Sequence, residues 1–382
     1  MINCDANATF GVLPPVIDGL IDELCALGNP SSIHRAGQRA RAVVEDARDA
    51  VRAVVGAGPR DVVIWTSGAT EANNLAIRGF VRLALRRSLL TSPFEHPSVI
   101  ETARAVTQSE GGMLRLVPTK GHELAIDTLP EFADGVGVVT LMLANNETGV
   151  VYPIPELVSA IRTVSPGALI HVDAVQAVGR IPVSFNEWGI DALSLSGHKI
   201  GAFPGVGALV LRSGLVIDPE LTGGSQEEGM RAGTQPVPAI VSLLRALSTL
   251  ERGGGVRGRA ERMVANRAAF LSGLGEHIAR PTVSAETPTL PNTLSLRVPG
   301  IAADDLVVAA DIHGVMLSSG AACSSGTQRP SPVLLAAGLS ESAARETIRV
   351  SVTDEPETER FYQAGQIVAA CIGRLDRGGI KK

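Results

Sequence analysis

The chain has 382 residues, 45% of them hydrophobic and 19% charged, and its 34 basic and 39 acidic side chains leave a formal net charge of −5. That length carries a large core and two domains, and the composition excludes a disordered chain. The charge is spread without long single-sign runs, which argues against a nucleic-acid partner, and no apolar run reaches the roughly 18 residues of a membrane span.

At the start, Met1-Ile2-Asn3-Cys4-Asp5 has neither a charged n-region nor an apolar h-region, so no signal peptide is expected and the reading points to a cytoplasmic protein. Residues 1–12 read as irregular chain that joins a small domain. Val62 to Thr66 is a β-branched strand, broken by Ser67-Gly68-Ala69-Thr70-Glu71 before an Ala-rich helical pattern. The basic stretch Arg78 to Arg87 is interrupted by Phe80, Val81, Leu83 and Leu85, and reads as an amphipathic helix with a solvated basic face. Further strands are expected at Val138 to Ala144, Ala168 to Val172, Ala192 to Leu195 and Val206 to Leu211. Apolar strands alternating with helical segments predict an α/β fold with a mostly parallel sheet covered on both faces. Glu251 to Gly258 reads as a linker into a smaller α/β domain, with strands at Thr293 to Val298 and Ile348 to Val352 and a helix over Ala302 to His313. The expected division is a large domain at 13–252 and a small one made of 1–12 and 253–382.

The four cysteines, Cys4, Cys25, Cys323 and Cys371, form no Cys-x-x-Cys pair, and no histidine cluster has metal-ligand spacing. Neither a metal site nor a disulfide framework is expected, and most of the four read as small buried hydrophobes.

In a parallel sheet, ligands bind beyond the carboxyl ends of the strands, and here four successive strand ends carry polar or Gly-rich clusters. Lys199 follows Ser196-Gly197-His198 at one of them, where a partly buried amine can form a Schiff base. Asp173 ends another strand, as the partner of a pyridinium nitrogen or as a helix N-cap, and Gln176 lies three residues on. Ser67 to Glu71, with the Thr70 hydroxyl, joins a strand to a helix N-terminus and is an anion site or a plain cap. His96, before Pro97, is a structural histidine or one held rigidly over a ring. Cys323 sits in a run of Ser, Gly, Ala and Thr, as the tip of an exposed loop or a small residue in a tight turn. Arg349 can grip a carboxylate through two parallel hydrogen bonds.

Assembled, these residues resemble the cysteine desulfurases of the NifS/IscS type, within the class V aminotransferases. The matching motifs are SGATEANNLAI (67–77), EHPSV (95–99), NNETGV (145–150), HVDAVQAVG (171–179), SLSGHKI (194–200), GMRAGT (229–234) and SSGAACSSG (318–326). The resemblance implies a fold-type-I pyridoxal 5'-phosphate (PLP) enzyme, a homodimer, and conversion of L-cysteine to L-alanine with sulfur passing to Cys323 as a persulfide. It implies Lys199 as the Schiff-base lysine, Asp173 at the pyridine nitrogen and Gln176 at the ring hydroxyl. His96 would stack on the ring and shuttle protons. Ala69, Thr70, Ser196 and His198 would cradle the phosphate, with Thr234 reaching in from the other subunit. Asn146 and Arg349 would hold the substrate carboxylate. A sulfur-acceptor protein, such as an iron–sulfur scaffold or a thiolation protein, is the implied partner. The alternative is another class V PLP enzyme: a selenocysteine lyase, another β-elimination lyase or an aminotransferase. The sequence departs from the family pattern at Gly201-Ala202-Phe203 and at Glu228.

Overall fold

The computed structural model describes residues 1–275, 278–320 and 329–378. In chain order, β1 is Ile2–Asn3, α1 Arg35–Val55, β2 Val62–Thr66, α2 Ala69–Leu83, β3 Leu89–Thr91, α3 Pro97–Ser109, β4 Leu114–Leu116, β5 Val138–Met142, α4 Ile154–Val164, β6 Leu169–Asp173, β7 Ala192–Ser196 and β8 Gly207–Leu211. There follow α5 Val237–Arg252, α6 Gly255–Leu274, β9 Arg280–Pro281, β10 Thr293–Arg297, α7 Ala303–Ile312, β11 Val315–Met316, β12 Ser318–Ser319, α8 Pro332–Ala336, β13 Thr347–Ser351 and α9 Thr358–Gly378.

Among the described residues the large sheet runs β2-β8-β7-β6-β5-β3-β4. Only β8 is antiparallel to its neighbours. β7 and β8 are joined by the short segment 197–206, too short for a crossover helix, so the chain must reverse there. The other six strands share one direction, and their carboxyl ends share one edge.

Alternation along each strand feeds two core layers. Val63 and Trp65 point into the layer built with Val44, Ala47 and Val51 of α1. Ile64 points the other way, to Leu75, Ala76 and Phe80 of α2. The buried positions Ala40, Val44, Ala47, Val51 and Val55 recur at three- and four-residue spacing, so α1 lays one stripe on the sheet. The mostly parallel sheet with helices on both faces agrees with the sequence expectation.

A second sheet, β9-β10-β13-β12, carries its own core with Phe270 of α6 and Phe361, Ala364 and Val368 of α9. Cys4 belongs to this core, and β1 pairs with β11. Cys371 is buried as expected, whereas Cys25 is exposed; Cys323 lies outside the described residues.

Two local expectations are corrected. The linker over Glu251 to Gly258 is a corner between two helices: α5 runs through Arg252 and α6 starts at Gly255. Gly254 takes the left-handed φ of +90° that turns the chain, and a Cβ on Gly258 would lie 2.8 Å from the Gly253 carbonyl oxygen. The glycine run marks close approach here, not slack. The helix over Arg78 to Arg87 stops at Leu83, and its basic face is partnered. Arg82 pairs with Glu220 at 2.6 Å and Arg87 with Glu110 at 3.2 Å. No helix among the described residues is long and apolar enough to cross a membrane.

Candidate active site

A cavity of about 450 Å³ lies where the carboxyl ends of β2, β5, β6 and β7 meet. Ten of the twelve residues singled out in the sequence line it: Ala69, Thr70, His96, Asn146, Asp173, Gln176, Ser196, His198, Lys199 and Arg349. Thr234 does not line it and is exposed. Cys323 lies outside the described residues.

The cradle at one end is the start of α2. Its first residue is Ala69, and no side chain caps the N–H groups there. Glu71 takes one nearby donor, the Ser67 N–H, at 2.7 Å and is held in turn by Arg231 at 2.8 Å. Gly207, first residue of β8, packs directly beneath Gly68, so backbone meets backbone without an intervening side chain.

Lys199 enters from the turn after β7. Its Nζ donates to the Ala8 carbonyl at 2.7 Å and to the Asn7 carbonyl. The N-terminal segment thus closes the cavity over the lysine. Asp173 is buried at the end of β6. Its Oδ1 accepts from the Val175 N–H at 3.0 Å and its Oδ2 from Asn73 Nδ2 at 2.8 Å. The carboxylate therefore braces its own turn while facing the cavity. Gln176 is oriented by Arg180, which donates to its Oε1 at 2.8 Å, and the amide Nε2 donates to the Asn7 carbonyl at 3.1 Å.

His96 caps α3, its Nδ1 accepting from the Ser98 N–H at 3.1 Å. Burial lowers its pKa; Asp173 acts against that shift and Lys199 with it. His198 Nδ1 lies 3.1 Å from Thr9 Oγ1, and burial, Lys199 and Arg180 together push it down to about 4. Next to His96 in the chain, the buried Glu95 accepts from Ser92 Oγ at 2.6 Å and the Met142 N–H at 3.0 Å, and burial above all raises it to about 8.

Arg349, on β13 of the second sheet, reaches the cavity already engaged. Nη2 meets Asp5 Oδ1 at 2.6 Å, Nη1 donates to the Asn146 carbonyl at 3.0 Å, and Nε is buried without a partner. Asn7 ties the two sheets together, donating to the Asn146 carbonyl at 3.1 Å and Thr293 Oγ1 at 2.9 Å.

Asn7, Asn73, Ser98 and Arg180 were not assigned roles by sequence reasoning. Ser98 sits in the first turn of α3 and Asn73 in the second turn of α2, where polar residues usually serve as caps or as exposed positions. Their presence inside matched motifs was the only signal.

A primary amine, a buried carboxylate and an open helix N-terminus in one cavity suit a phosphorylated carbonyl compound with a basic ring nitrogen. The family model for class-V aminotransferases matches residues 2–359. The chain belongs to the class-V aminotransferase family. Within it, the chain sides with the NifS/IscS-type cysteine desulfurases. It is 36% identical over 378 residues to a cysteine desulfurase of Trichormus azollae, covering 95% of this chain and 91% of the relative. It is 31% identical to an IscS-like cysteine desulfurase of Mycobacterium tuberculosis, covering 100% and 98%. Among solved structures, a NifS-like protein superposes with a TM-score of 0.89 at 30% identity, covering 98% of this chain and all of the other. Among the described residues no cluster of three or more potential metal ligands occurs.

Proposed function

We propose that the protein is a PLP-dependent cysteine desulfurase, converting L-cysteine to L-alanine and passing the sulfur to Cys323 as a persulfide for delivery to an acceptor protein. The observation that carries this reading is the meeting of Lys199, Asp173 and His96 in one cavity at the strand ends of a class-V chain.

The residues fit the cofactor. The open N-terminus of α2 with Ala69 and Thr70, together with Ser196 and His198, offers donors to a phosphate. Asp173 offers a buried carboxylate to a ring nitrogen, and Gln176 a fixed N–H to a ring oxygen. Lys199 Nζ is the amine that would hold the cofactor covalently. When bound, PLP supplies a carbonyl carbon for the substrate amine and a ring that withdraws electrons from the α-carbon.

The chain's own groups do the rest. Arg349 and Asn146 orient the substrate carboxylate, with Arg349 exchanging part of its hold on Asp5 for it. Lys199, when its amine is not holding the cofactor, would be a nearby base for moving a proton. Cys323 as thiolate is the nucleophile toward the substrate sulfur. Thr234 completes the phosphate cradle of a second subunit in a homodimer, consistent with its place away from its own cavity. The division at 13–252, with 1–12 and 253–382 as a smaller domain, and a cytoplasmic location belong to the same proposal.

The test is alanine and sulfide release from L-cysteine under a reductant, beside the cofactor absorbance. Cys323→Ala is expected to lose turnover by at least a hundredfold and keep the absorbance. Full-rate release by that variant would sink the reading. A selenocysteine lyase or aminotransferase needs Lys199 and Asp173 equally; an aminotransferase has no use for Cys323, and a substrate panel with product identification separates the rest.

A further inference from the structure

The hydrogen bonds around His96 have a direction that fixes where its proton sits. The Ser98 backbone N–H donates to His96 Nδ1 at 3.1 Å. A backbone N–H can only donate, so Nδ1 carries no hydrogen. Ser98 Oγ lies 2.8 Å from the same Nδ1. That oxygen accepts from Asn73 Nδ2 at 2.9 Å, which leaves its own hydrogen for the ring. The other Asn73 amide hydrogen goes to Asp173 Oδ2 at 2.8 Å. Turning the amide over would set Asn73 Oδ1 against the carboxylate. The amide orientation is therefore fixed by Asp173, and the hydroxyl direction by the amide. Asn73 is wholly buried, so no water competes for either hydrogen.

We propose that Asn73 and Ser98 are positioning residues that hold His96 as the Nε2–H tautomer, so that the ring offers a hydrogen-bond donor and does not act as a base. A charged imidazolium needs a hydrogen on Nδ1, where two hydrogens already point. Burial opposes the charge as well, with Asp173 and Lys199 the charged groups acting on the ring. A neutral imidazole with its proton on Nε2 has no lone pair on that nitrogen. Under the functional reading above, on which this consequence rests, the proton acceptor of the cavity is then Lys199, and His96 serves as ring platform and donor.

The experiment uses the full chain, as purified with its cofactor, labelled with ¹⁵N-histidine. The chain has seven histidines, and His96→Gln identifies the signal by its loss. Long-range ¹H–¹⁵N correlation is expected to show a bare Nδ1 and a protonated Nε2 at pH 7, with His96 charging only below the pH at which an unperturbed imidazole charges. Ser98→Ala removes one donor to Nδ1 and keeps the backbone one. It should raise the charging midpoint by roughly half to one pH unit. Asn73→Ala frees the hydroxyl to turn and should give the same direction of shift. An Nδ1–H tautomer or an imidazolium in the unmodified protein at pH 7 would overturn the proposal. So would two folded variants, checked by circular dichroism, that both keep the unmodified titration. The tautomer is read without turnover, so the result stands apart from whether L-cysteine is the substrate.

Discussion

Arg349 shows how one side chain can be both a structural tie and a substrate grip. Its guanidinium joins β13 to the N-terminal segment through Asp5 and to the strand-end loop through the Asn146 carbonyl. It also keeps a buried Nε with no partner. A carboxylate entering the cavity meets a donor that is already oriented and only partly satisfied. Arg349→Lys keeps the charge but loses the planar fork. We expect a fall in kcat/KM for L-cysteine of about 30- to 150-fold, or roughly 2–3 kcal/mol, carried mostly by KM. An unchanged KM would remove Arg349 from substrate binding. At this scale the sequence was informative where chemistry is tied to a strand end. Lys199, Asp173 and Asn146 could be found because apolar runs stop abruptly at polar clusters. Asn73 and Ser98 could not, because the direction of a hydrogen bond depends on neighbours 100 and 25 residues away.

The cradle depends on two elements meeting closely. The carbonyl carbon and Cα of Gly68 would both lie 2.7 Å from a Cβ on Gly207, and the Leu195 carbonyl oxygen 2.8 Å from it. All three neighbours are backbone, so none can rotate away. Gly207→Ala must therefore push the start of α2 off β8 or bend the β7–β8 pairing. We expect a loss of roughly 1–3 kcal/mol in unfolding free energy and at least tenfold weaker PLP binding. Denaturant unfolding and fluorescence titration of the cofactor measure the two effects. Native values for both would mean that the close packing has no part in forming the cradle. The five strands of the large sheet that the sequence predicted are those whose apolar run is long enough to be recognised. β3 and β4 have three residues each and could not be distinguished from loop ends. The glycines at 253–255 were misread because composition alone does not separate a flexible linker from a tight helix corner. That distinction lies in the approach of Gly258 to the Gly253 carbonyl, a tertiary contact.

Across the whole molecule, the buried titratable groups pull stability in two directions. His171, fully buried between Thr140 and Ser194, is pushed by burial from 6.5 to about 3, and His198 falls from 6.5 to about 4. A lowered histidine pKa means that the unfolded chain binds more protons. Its contribution is complete above pH 6.5 and is lost as pH falls toward 4 and then 3. Glu95 rises from 4.5 to about 8, and Glu147, which accepts from Ser331 Oγ at the start of α8, from 4.5 to about 7. A raised carboxyl pKa means that the folded chain binds more protons. That contribution is complete below pH 4.5 and is lost as pH rises through 7 and 8. The two effects oppose each other only between pH 4.5 and 6.5. Of these four groups, only the histidines act below that window and only the glutamates above it. The stability maximum is therefore expected on the acid side of neutrality, with a continuous decline from about pH 6.5 to 9. Glu95→Gln tests the cause, because the amide still accepts from Ser92 and the Met142 N–H but cannot ionise. It should flatten the upper part of the alkaline decline in Tm while leaving the limb below pH 4.5 as it was. A Tm that is level from pH 6.5 to 9, or an alkaline decline unchanged in Glu95→Gln, would show that Glu95 is not held protonated by the fold. The same carboxyl adjoins His96 in the chain and interacts electrostatically with Asp173. The acid preference of the fold is thus tied to a carboxyl that neighbours the cavity-lining His96.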